Sequence, residues 1–175
     1  DSIYVSSDAT LDPGDVRVLF ARWTLAAPGE WLEGGGVVVR GGTVLRVLRS
    51  TGETRRTARR TGATAEDLGD VVLAPGFVDA HVHLDLGGLH GRLPRHGSFP
   101  AWIRALLRER AALGRAELVA GAVDAARRLI ATGTTTVGDI DSVGVAEAAL
   151  AAWPLRARSY REVLDAADPA RTASA

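Results

Sequence analysis

The feature that most constrains the fold of this chain is a change of hydrophobic period at Ala74. Beyond it, apolar runs of strand length alternate with stretches whose apolar residues recur every three or four positions. Gly76 to His83 reads as a strand, and Ser98 can cap a helix on which Trp102, Ile103, Leu106, Leu107 and Ala111 form one stripe before Gly114 stops it. A second helix carries Leu118, Ala122, Val123, Ala126, Leu129 and Ile130, with Arg127 and Arg128 near its negative end and Gly133 as terminator. Thr134 to Ile140 is then a strand, Val145 to Trp153 a short alanine-rich helix, and Leu155 to Val163 a strand. Strands that alternate with helices imply a parallel sheet with right-handed crossovers.

Residues before Ala74 follow another pattern. Residues 1–14 are polar and turn-rich and are expected to form a flexible lead-in. Val16 to Trp23 is a strand candidate, Val71 to Leu73 another, and Gly36 to Leu48 reads as two strands joined by Gly41-Gly42, a strong hairpin signal. Residues 15–73 are therefore expected to be a small antiparallel β-unit, and residues 74–175 a separate α/β unit.

Composition removes several function classes. The 175 residues include no cysteine, which excludes disulfides, thiolate metal sites and thiol nucleophiles and is compatible with a reducing compartment. All 21 basic residues are arginine, so no lysine can form a Schiff base or a carboxylated bridge between metals. No apolar run approaches the ~20 residues of a membrane span, and a cytoplasmic location without membrane contact is expected. A chain that opens on Asp1 rather than Met is expected to be a processed product or a piece of something longer.

Chemistry concentrates in LAPGFVDAHVHLDL. Side chains alternate across a strand, so His81 and His83 project from one face at its carboxyl end and two imidazoles can reach one metal ion. Asp79 lies on that face one step deeper, where it could orient a ligand as an acceptor. A catalytic zinc normally takes three protein ligands and keeps one position for water, so a further ligand must come from elsewhere.

PGFVDAHVHL resembles the metal-binding signature of the amidohydrolase superfamily. The hairpin texture of Gly35 to Val47 is similar to that family's N-terminal β-sandwich portion, and GTTTVGDI, Gly133 to Ile140, to its second barrel strand. Leu84, the loop LDLGGLHGRLP and the FPAWIRALL helix resemble the chlorohydrolase and nucleobase-deaminase branch, in particular the aminofutalosine deaminase-like proteins. Asp85 stands where that pattern usually has Glu, and Asp79 where it often has Asn. The resemblance spans roughly residues 16 to 163. It implies an α/β fold in which a β-sandwich-type unit precedes the first three β/α units of an incomplete TIM-like (β/α)8 barrel, since a full barrel needs about 250 residues.

The resemblance further implies that His81 and His83 are the first two ligands of one divalent metal, zinc or alternatively iron. The ion makes hydroxide available near neutral pH, and the expected reaction is hydrolysis of a C–N bond, deamination of a purine-like or related small-molecule heterocycle. A cyclic amidase or N-deacetylase of the same superfamily and a non-catalytic truncated module stand as alternatives. Catalytic residues are expected in a missing C-terminal half or a complementing chain, with the 175-residue chain inactive alone, and homodimerisation of the parent protein is a further expectation. Leu84, Asp85 and Trp102 are candidates for substrate contact.

Other polar residues have plainer roles beside the chemical one. His90 and His96 sit in the glycine-rich loop, on the side where barrel active sites are built, and read more simply as exposed. Trp102 on an apolar stripe is ordinarily core. Asp139 and Asp141 fit turn formation and helix capping before the next helix, and Glu162 an ion pair with a neighbouring arginine. Arg46 to Arg60 hold six arginines against Glu53. Without interleaved aromatics this is a solvated strand and loop face, and no nucleic-acid partner is expected. Gly34-Gly35-Gly36 leads into a strand and lacks the helix start that a phosphate loop requires.

Overall fold

The computed structural model describes residues 16–95 and 97–162; the lead-in expected over 1–14, His96 and Val163 lie outside them. Two compact units meet in sequence at Pro75 and Gly76.

The first unit contains β1 (Val16–Phe20), β2 (Trp23–Ala27), β3 (Glu30–Glu33), β4 (Gly36–Arg40), β5 (Thr43–Leu48), α1 (Thr51–Thr61), β6 (Thr64–Asp67) and β7 (Val72–Leu73). One sheet runs β5-β4-β1-β6 and a second β3-β2-β7. The Gly-Gly hairpin forms as expected: Arg40 faces Thr43, and Gly41 takes a φ of 55°, where a side chain would strain the backbone. Alternation along β1 and β4 buries Val16, Val18 and Val38, which close a small core with Leu48 and Ala63.

Three expectations for this unit change. The single strand over Val16 to Trp23 divides at Ala21 and Arg22 into β1 and β2, which join different sheets. The Arg22 amide there donates to Gly69 (3.0 Å), while its carbonyl accepts from Gly34 (2.8 Å). The unit is not wholly antiparallel either, because β6 runs parallel to β1 and β7 parallel to β2. Helix α1 is the physical reason for the first of these: a parallel neighbour needs a crossover, and α1 supplies it. The arginine-rich run expected as strand and loop is thus a strand followed by a helix. Ser50 Oγ accepts the Glu53 amide at its start, and Gly62 ends it at a φ of 62°. Thr54 is buried, while Arg55, Arg56, Arg59 and Arg60 face solvent.

The second unit contains β8 (Phe77–Val82), a 3-10 segment (Leu84–Leu89), α2 (Phe99–Ala111), α3 (Arg115–Ala131), β9 (Thr134–Asp141), α4 (Ala146–Ala152) and β10 (Arg156–Arg161). The sheet order is β10-β9-β8, with both pairs parallel. Among the described residues β8 and β10 each have a single neighbour, so the sheet is open. The architecture is α/β: an N-terminal β-sheet unit, then β/α units in an unclosed, barrel-like arrangement.

Helix ends follow local chemistry. Ser98 caps α2 by accepting the Ala101 amide (3.4 Å). Gly114 does not stop that helix, which ends at Ala111; it opens α3 instead, its extended backbone (φ −73°, ψ 160°) donating an amide hydrogen bond to Glu117 Oε2 (3.0 Å). The core gathers Leu84 and Leu89 of the 3-10 segment, Leu106, Leu113, Leu118, Ala122 and Ala126 of the α2 and α3 region, and Val145 and Ala149 at α4. None of the described helices is long and apolar enough to cross a membrane.

Candidate metal and substrate site

Strand β8 ends at Val82, and His83 starts the 3-10 segment with an extended backbone (φ −118°, ψ 91°). The two imidazoles come together as the alternation predicts: their ring centres are 5.2 Å apart and their planes inclined at 69°. His81 is exposed and His83 half-buried. Asp79 is half-buried on the same strand, and its Oδ1 accepts the backbone amide of His81 (3.2 Å) rather than an imidazole N–H.

Asp85 and Leu84 are both fully buried. Leu84 belongs to the core, so neither residue presents a surface to a substrate. Asp85 Oδ2 accepts the Ser142 hydroxyl (2.6 Å) and amide (3.3 Å), with Arg110 Nη1 at 3.9 Å. Asp85 Oδ1 has no hydrogen-bond partner among the described residues and lies 3.8 Å from His83 Nδ1. Trp102 packs against the core and stacks on exposed Phe99, with ring centres 6.1 Å apart. His90 is exposed after the 3-10 segment.

The two aspartates at the end of β9 divide their work. Asp141 accepts the amides of Val143 (3.0 Å), Gly144 (2.7 Å) and Ala146 (3.0 Å), the turn-forming and capping role that its position before α4 suggests. Asp139 ties β9 to the 3-10 segment and to β10: Oδ1 accepts the Leu84 amide (3.0 Å) and Oδ2 the Ser159 hydroxyl (3.1 Å). The Glu162 amide donates to the Asp141 carbonyl (3.1 Å), and among the described residues no arginine pairs with the Glu162 carboxylate.

Burial pushes the Asp139 carboxyl above its ordinary value, and the neighbouring Asp141 and Asp85 charges add to this against the Leu84 and Ser159 hydrogen bonds. The folded state therefore holds this proton more tightly than the unfolded chain does. Its contribution to stability is full below the ordinary value of 3.8 and is lost as pH rises through the higher folded value. Asp139→Asn retains an acceptor for the Leu84 amide and removes the buried charge. Its Tm should exceed that of the wild type at pH 7, with the gap closing below about pH 4; a lower Tm at both pH values would contradict this account.

Among the described residues, no group of three or more His, Cys, Asp or Glu side chains is placed to hold a metal ion. Among the described residues His81 and His83 are a pair of donors brought side by side. An open groove of about 560 Å³ between α4 and β10, lined in part by Asp141, Glu147, Leu150 and Ser159, includes neither imidazole.

Over the matched residues the chain shares the fold of several solved deaminases and hydrolases. Helicobacter pylori aminofutalosine deaminase, solved with methylthio-coformycin, superposes with a TM-score of 0.71 at 23% identity, over 85% of this chain and 35% of that one. An adenosine deaminase from Xanthomonas campestris with bound zinc gives 0.58 at 22% identity, over 81% of this chain and 32% of that one. An uncharacterised metal-dependent hydrolase from Pyrococcus furiosus gives 0.61 at 16% identity, over 83% of this chain and 50% of that one. The chain thus spans between a third and a half of the length of these structures. No family model and no curated protein matches the sequence.

Proposed function

We propose that this chain is the N-terminal part of a cytoplasmic, metal-dependent amidohydrolase of the deaminase type, acting on a C–N bond of a purine-like or related heterocycle. The observation that carries the reading is the His81–His83 pair at the carboxyl end of β8, where enzymes of this architecture build their sites. Likeness in fold to two deaminases supports the choice of reaction.

The donor set fits part of a metal site. Two imidazoles at the end of one strand suit a divalent ion such as zinc, or iron, and a buried carboxylate oxygen without a partner among the described residues lies near one of them. When bound, the ion would supply the Lewis acidity that makes water a nucleophile at neutral pH. The chain's own residues do the holding. His81 and His83 donate ring nitrogens, Asp79 ties down the backbone amide of His81, and Asp139 pins the amide that follows His83. Trp102 and Phe99 offer an aromatic surface on α2 for a heterocycle. The remaining ligand and the proton-transferring groups belong, on this reading, to a C-terminal complement.

The test is a zinc titration of the chain followed through its histidine ring resonances, beside an assay of ammonia release from aminated heterocycles. Zinc should shift His81 and His83 together, leave His90 and His96 in place, and lose its effect in His81→Ala or His83→Ala. Ammonia release should appear only with the C-terminal complement added and should vanish in either variant. Zinc that moves His90 or His96 first, or that moves none of the rings, would overturn the assignment.

A further inference from the structure

We propose that Asp85 is a positioning residue for His83, its Oδ1 accepting the imidazole Nδ1–H so that Nε2 is left as the donor atom for an ion. The inference deepens the reading above and rests on it for the role of His83.

Asp85 is firmly held. The residue is fully buried, and Oδ2 accepts both the hydroxyl (2.6 Å) and the amide (3.3 Å) of Ser142. Ser142 Oγ in turn accepts from Arg110 Nη1 (2.6 Å), whose guanidinium lies 3.9 Å from Asp85 Oδ2. One carboxylate edge is therefore clamped from β9 and α2, which leaves little freedom to the other. That other oxygen, Oδ1, is buried and has no hydrogen-bond partner among the described residues. Buried polar atoms are nearly always satisfied, so an orphan acceptor calls for a donor.

The donor at hand is His83 Nδ1, at 3.8 Å. A hydrogen bond needs the ring about 1 Å closer, and the His83 side chain, 28% exposed, has room to turn. Which imidazole nitrogen bears the proton is set by the hydrogen bond that the other edge makes. An acceptor at Nδ1 thus holds the proton there and presents the Nε2 lone pair on the outer edge of the ring. A carboxylate behind a ligating imidazole also raises its basicity and stops it rotating. Asp79, on the same strand face, engages the His81 amide through Oδ1, whereas the unpartnered oxygen beside the His83 ring is that of Asp85.

A purely structural Asp85, tying the end of β9 to the 3-10 segment, would use Oδ2 alone and leave the His83 ring indifferent. The experiment separates the two. In the metal-free 175-residue chain labelled with 15N-histidine, at about pH 8 where imidazole is neutral, long-range 15N–1H correlations report each tautomer. Wild-type His83 should be in the Nδ1–H form. Asp85→Asn keeps the Ser142 contacts with its single amide oxygen and turns its NH2 toward His83, so it should release His83 toward Nε2–H, as should Asp85→Ala, while His90 stays unchanged. In zinc titrations both variants should bind about 10- to 100-fold more weakly than the wild type.

Wild-type His83 in the Nε2–H form would overturn the proposal without recourse to any variant, and so would an Asp85→Ala chain whose His83 ring signals do not move. The two readings also fail separately. The expected tautomers without zinc binding would sink the metal site and keep the contact. Zinc bound equally by wild type and Asp85→Ala, with one unchanged tautomer, would keep the site and sink the contact.

Discussion

Gly121→Ala should lower the Tm of the chain by about 10–20 °C, corresponding to about 3 kcal/mol of overpacking in a unit of this size. A Cβ on Gly121 would stand 2.2 Å from the Gly88 nitrogen and 2.5 Å from its Cα. From the other side, a Cβ on Gly87 would stand 2.2 Å from the Gly121 carbonyl oxygen. These obstacles are backbone atoms, so no rotamer change relieves them, and α3 must move off the 3-10 segment. That segment begins immediately after His83 and carries Leu84, Asp85 and Leu89 into the core. The variant should therefore also disturb the His81–His83 spacing, seen as altered ring resonances below the melt. Gly52→Ala is the control: at the exposed start of α1 its Cβ would meet the flexible end of Arg56 at 3.4 Å and Ser50 Oγ at 4.0 Å, and its melt should match or exceed that of the wild type. Equal melts for both variants would mean that the crossing is looser than the backbone contacts require.

The second unit was legible because its signals are local and repeated. Ser98, the apolar stripe from Trp102 to Ala111 and the run from Leu118 to Ile130 each announce a helix from within one window. The shared face of His81 and His83 follows from the two-residue period of a strand, and the rings do come together. The pairing of β8 with β9 shifts between Asp79 and Val82, and the Asp79 carboxylate meets the His81 amide. No local pattern announces such a shift, which depends on how the neighbouring strand fits.

Helix α1 was hidden for a different reason. Its buried side consists of Thr54 with Ala58 packed nearby, too little apolar surface to register as a stripe among four exposed arginines. Ser50 and Glu53 at cap spacing, with Gly62 beyond, were the signal that could have found it. The split of β1 from β2 rests on hydrogen bonds between Arg22 and the distant Gly34 and Gly69. The cluster around Asp85 is likewise long-range: Ser142 and Arg110 come from other elements, and no spacing rule joins residues that only packing brings together.

Asp141→Ala should destabilise the chain by about 2–3 kcal/mol at neutral pH, because it removes the acceptor of several amides at the start of α4. The pH dependence runs opposite to that of Asp139. Burial alone would raise the Asp141 carboxyl, yet the amides of Ala146, Val143, Gly144 and Val145 outweigh it and hold the group below its ordinary value of 3.8. The unfolded chain then binds this proton more readily than the folded one. The charge-dependent part of the contribution is complete above 3.8 and is lost as pH falls through the lower folded value. The gap in unfolding free energy between wild type and Asp141→Ala should therefore narrow in acid, whereas the gap between Asp139→Asn and wild type closes there from the other sign. Chemical denaturation of the three chains at pH 7 and pH 3 measures both at once. A pH-independent Asp141 gap would mean that the turn is held by its backbone alone, and that the carboxylate contributes shape without charge.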